Sequence, residues 1–156
     1  LGIVSYAEFK KTYQSIWDQV IDKSHLIFGR IKFETKLAGN QLVVQSMTQR
    51  EQKALAFYEP SPIGFKEVTP QIRAEQIIDY NVKRIVTQVT VIGDMRFALS
   101  KLTPDTRDKW VTDAATVAAM DVVLDMDPMI VNHIIGLFND LDSAKYYALV
   151  ENLRNP

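Results

Sequence analysis

The chain has no cysteine, only two histidines and only six glycines in 156 residues, and each shortage removes a class of chemistry. Without cysteine there is no disulfide, no thiolate metal site and no cysteine nucleophile. Histidine is the commonest acid–base and metal-binding side chain, and here His25 and His133 stand apart, with no HxH or HxxxH spacing. The glycines at 2, 29, 39, 64, 93 and 136 are scattered singly, so there is no phosphate-cradling loop and no GxGxxG. A GxSxG elbow is also absent. No apolar run reaches membrane-spanning length, because the longest, Ala114 to Met126, contains Asp121 and Asp125. Leu1–Val4 is too short for a signal peptide, so no targeting segment is expected.

What is present is the composition of a globular domain: 47% hydrophobic and 24% charged residues, with a formal net charge of −1. That length suits a single domain over 1–156 with one core. A near-zero net charge, and basic residues that are not interleaved with aromatics, give no footprint for nucleic acid. The charge is unevenly placed, however. Residues 1–110 hold 16 basic and 12 acidic side chains, whereas residues 111–156 hold 2 basic and 7 acidic. Such asymmetry can steer one copy's tail toward another's head.

The clearest local signal runs from Ile31 to Tyr58. Ile31, Phe33, Thr35 and Leu37 alternate with Lys32, Glu34 and Lys36, Ala38-Gly39-Asn40 breaks the run, and Leu42-Val43-Val44 resumes it. This spacing predicts a hairpin over 31–45. Thr48-Gln49-Arg50-Glu51 then spells a capping box with Ala54, Leu55 and Phe57 behind it. Upstream, Ser5-Tyr6-Ala7-Glu8 is a second capping box, and Tyr6, Phe9, Tyr13, Ile16, Trp17, Val20 and Ile21 recur at helical spacing. A long aromatic helix over 5–24 is expected.

Downstream, Glu59-Pro60-Ser61-Pro62-Ile63-Gly64 cannot be helical, and 59–68 is the best linker candidate. Thr69-Pro70, Thr103-Pro104 and Asp127-Pro128 each mark a helix start. The second should present Trp110, Val111, Ala114, Val117, Ala118 and Val122 to the core, and a last helix is expected over 141–153. The segment 85–99 is ambiguous. Its β-branched run suits a strand with a Gly93-Asp94 turn, but the apolar spacing from Ile77 favours a helix to Ile92 capped by Gly93. The expected fold is therefore mainly α with a small β-hairpin (α+β). Short antiparallel helices over 48–153 pack around one core, preceded by the N-terminal helix.

From Ile31 to Leu153 the order of strand, turn, strand and capped helix, followed by short helices, resembles small tail-assembly and baseplate-hub proteins of tailed bacteriophages. The resemblance implies a non-enzymatic part of a phage tail, or a chaperone of its assembly, located in the virion or the host cytoplasm. It implies no catalytic residues.

Three functions compete. The first is a viral structural or assembly protein that binds copies of itself or other structural proteins, with no cofactor, nucleic acid or membrane. Phe9, Tyr13, Trp17, Tyr146 and Tyr147 would be its contact anchors, since aromatics dominate interface energetics. The second is a cytoplasmic helical adaptor that takes a partner or a small hydrophobic ligand, with Met120, Met126 and Met129 lining the site. The third is a metal-dependent enzyme that uses Asp121, Asp125 and His133. Asp127 is a further carboxylate in that cluster, although capping already explains it. The first is preferred, and no enzyme is expected.

Overall fold

In the computed structural model, residues 13–20, 30–62, 67–97 and 99–154 are described, the last four by backbone alone. Residues 13–18 form α1, and Val20 then leaves the helix to make an isolated antiparallel bridge with Phe33. The expected helix over 5–24 is corrected here: the described part stops before Val20. The remainder of that expectation lies outside the described residues. Val20 is β-branched and 6% exposed, and extended backbone lets it join the sheet edge and the core together.

The hairpin forms where the alternation placed it, as β1 (Lys32–Leu37) and β2 (Asn40–Gln45) in register Phe33↔Val44 and Thr35↔Leu42. Ala38 (φ 50°) and Gly39 (φ 80°) both take left-handed backbone at its tip. Two-residue hairpins favour that pairing because its twist matches the strands. Phe33, Leu42 and Val44 are buried, whereas Lys32, Glu34 and Lys36 face solvent.

Helix α2 (Gln49–Ala56) begins with the capping box read from the sequence: Glu51 N–H donates to Thr48 Oγ1 at 3.2 Å, and Thr48 N–H donates to Glu51 Oε1 at 2.9 Å. Helix α3 (Pro70–Gln88) opens on Thr69, whose Oγ1 accepts from Ile72 N–H at 3.1 Å.

The segment after Gln88 corrects the expected helix. The chain switches at Val89 into β3 (Val89–Ile92), turns at Gly93-Asp94 and returns as β4 (Met95–Arg96). The four strands form one antiparallel sheet in the order β1-β2-β3-β4, larger than the hairpin expected. Val89 and Val91 gain ladder partners in Val44 and Val43, and they satisfy a β-branched preference that further helix would frustrate.

The helix expected after Thr103-Pro104 is two helices, α4 (Arg107–Thr112) and α5 (Ala114–Leu124). Asp113 breaks them: it is extended (ψ 137°), and its carboxylate accepts from Ala115 N–H at 3.2 Å. The break rotates the inner face. Trp110, Thr116, Ala119 and Val123 are buried, while Ala114, Val117 and Ala118 are exposed. The two helices expected at the end are instead one, α6 (Pro128–Arg154). Asp142 lies in the interior of α6, where Leu141 and Ala144 continue the buried stripe of Ile134 and Phe138.

A single core joins these layers, from Phe33, Leu42 and Val44 on the sheet through Leu55, Ile85 and Trp110 to Val123, Ile134 and Phe138. Helix α3 is central to it and contacts α2, α5, α6 and β3.

Candidate functional site

The aromatic candidates do not share one solvent face. Phe9 lies outside the described residues. Tyr13 and Trp17 are half-buried, and Trp17 packs against the core. Tyr146 is 66% exposed, but its neighbour Tyr147 is only 2% exposed. Adjacent residues on a helix point about 100° apart, and Tyr147 shares the inward stripe of Leu141 and Ala144.

Of the carboxylate candidates, Asp121 is exposed inside α5 and only the Asp127 carboxylate serves as a cap. Asp125 ends α5, and Asp127 Oδ1 accepts from Met129 N–H at 2.7 Å at the start of α6. His133 is exposed on α6. No group of three or more His, Cys, Asp or Glu side chains converges among the described residues. Burial pushes the phenols of Tyr58 and Tyr80 up from their ordinary value.

Among the concavities of the described residues, two bear on function. The first, of about 300 Å³, lies between the sheet and the 99–102 segment and is lined by Arg30, Gln45, Glu51, Thr87, Lys101 and Trp110 among others. Several of its polar groups serve the fold. Glu51 Oε2 accepts from Arg30 Nη2 while its other oxygen completes the α2 cap. Gln45 Nε2 donates to Thr87 O, and Gln88 Nε2 donates back to Gln45 O, both at 3.0 Å. These bonds lock α3 to β2.

The second concavity is a groove of about 320 Å³ with mostly apolar walls. Ile77, Ile78, Asn81 and Val82 of α3 form one wall, and Val123 and Leu124 of α5 form the other. Met126, Pro128, Val131 and Asn132, from the α5–α6 corner onward, close its end. The local sequence explains the shape. Asp125 ends α5, and Asp127-Pro128 restarts a helix two residues later, which makes a tight apolar corner beside α3. Ile78 is 54% exposed, Leu124 53% and the adjacent Met129 79%, whereas Val82 and Val123 form the buried floor. Of the three methionines expected to line a ligand site, Met126 does so; Met120 and Met129 do not line the groove.

The sequence carried a partial signal for this groove. Ile72, Ile77 and Ile78 belong to the apolar face of α3, a stripe wider than one core contact fills, and the structure leaves all three exposed. The opposite wall is more than forty residues away in the chain, and no local pattern pairs the two.

Among the described residues no helix is long and apolar enough to cross a membrane. Compared with protein-family models, curated proteins and solved structures, the chain has no match in any of the three.

Proposed function

We propose that this protein is a non-enzymatic structural or assembly protein that acts through protein–protein contacts, in the setting its resemblance to phage tail-assembly and baseplate-hub proteins implies. The observation that carries this reading is the groove between α3 and α5. Large apolar side chains gather there in solvent, whereas no three His, Cys, Asp or Glu side chains converge among the described residues. Exposed apolar surface gathered in one place marks an interaction site. Mass photometry of the chain alone and mixed with the products of adjacent genes tests it. Defined complexes are expected, and a chain that stays alone in every mixture contradicts it.

A second reading, a helical adaptor holding a small hydrophobic ligand, is favoured by one feature: the volume and apolar lining of the same groove are of ligand-pocket size. A melting shift with fatty acids or detergents in the absence of any protein partner distinguishes it.

A further inference from the structure

We infer that the occupant of the α3–α5 groove is a basic amphipathic helix of a partner protein, an inference that rests on the protein-contact function proposed above. The charge around the groove argues for it. Asp121, Asp125 and Asp127 are exposed along the α5 side and the corner, one turn or less from Leu124 and Met126. Glu75 is exposed on α3, within one turn of Ile78, whereas Asp79 lines a separate concavity with Tyr58 and Lys83. The nearest cations on α3 are committed elsewhere. Arg73 Nη1 donates to Ser61 O at 2.6 Å, and Lys83 Nζ sits 4.6 Å over the Tyr58 ring. The apolar floor is thus bordered by carboxylates, and complementary charge steers the partner.

Shape selects the class of partner. Two helices wall the groove, and the wall residues Ile77, Ile78, Val123 and Leu124 offer rows of apolar side chains instead of an open backbone edge. Such a trough accepts anchors at i, i+3 or i+4 and i+7 of another helix. A second copy using the same face is disfavoured, because two-fold pairing would set each copy's four carboxylates against the other's.

The test uses the whole chain and a fluorescein-labelled synthetic peptide of roughly five helical turns, with leucines on one face and lysines on the other. Anisotropy should show saturable one-to-one binding. Leu124→Glu and, on the opposite wall, Ile78→Glu should each weaken it by about tenfold or more. Raising salt from about 0.15 M to about 0.5 M should weaken it further. A leucine/glutamate peptide with the same apolar face should fail to bind. Circular dichroism confirms that both variants are folded. Binding that survives both substitutions overturns the inference as adsorption, and equal binding of the acidic peptide overturns the charge argument. A stable dimer that Leu124→Glu converts to monomer shows a second copy in the groove and overturns it too. If the peptide fails while complexes with adjacent-gene products persist, the groove assignment falls and the contact function stands.

Discussion

Glu51 joins two elements at once: one carboxylate oxygen closes the capping box of α2 at Thr48, and the other accepts from Arg30, the residue that leads into β1. The glutamate is 8% exposed at its side chain and the arginine 29%. The pair therefore lies in a partly dry setting where both the cap and the charge matter. Glu51→Ala removes the reciprocal half of the capping box and strands the Arg30 guanidinium, and the expected loss is about 2–3 kcal/mol by urea denaturation. Arg30→Ala, which leaves the cap intact, should cost less than Glu51→Ala.

The tip of the first hairpin holds Ala38 at φ 50°, where a Cβ is strained. Ala38→Asn keeps the turn and suits left-handed backbone, so a gain of about 0.5 kcal/mol is expected from thermal unfolding. Gly136 lies inside α6, and a Cβ there would meet nothing within 4 Å. Gly136→Ala should stabilise by about 0.5–1 kcal/mol.

These elements differ in how far they could be read from the residues. The hairpin and the α2 cap are short-range: alternation and a Thr-x-x-Glu spacing specify them within a few residues of chain. The change at Val89 is not local. The apolar period of α3 runs on without interruption, and only the partner strand β2, forty-odd residues upstream, makes the extended form better. Asp113 and Asp142 show the same limit. Both are aspartates in helical surroundings, yet one caps a break and the other rides inside a helix, and burial of the flanking residues decides which. Of the groove, the α3 isoleucines and the Asp127-Pro128 restart were visible, but their meeting was a tertiary fact.

Phe138 is fully buried, with the Arg84 guanidinium 5.3 Å from its ring centroid. Arg84 also reaches Gln88 Oε1 at 2.9 Å and Asn139 Oδ1 at 3.3 Å, which ties α3 to α6. Phe138→Ala should cost about 3–5 kcal/mol through the cavity it leaves. Leu124→Glu, by contrast, changes an exposed groove residue and should shift stability by no more than about 0.5 kcal/mol.

Desolvation raises the pKa of Asp142 above the ordinary carboxylate value, against the lowering effects of Arg84 and Lys145. The folded state then favours the protonated acid. Its contribution to stability is full below the unfolded value and is lost as pH rises through the folded one. The carboxylate is 60% exposed and 4.0 Å from Arg84, so solvent screens the effect. Asp142→Asn removes a contribution that grows on acidification, so the acid limb of the stability profile should become slightly steeper while neutral stability stays nearly unchanged, as measured by urea midpoints across the acid range.

The most direct measurement is hydrogen–deuterium exchange on the chain alone and within a complex formed with an adjacent-gene product. If contacts at the α3–α5 groove are what this protein offers, protection on complex formation falls on peptides spanning 75–82 and 121–132, and Leu124→Glu abolishes it. Protection confined to the cavity beside Arg30 and Lys101, with the groove still exchanging freely, contradicts the account.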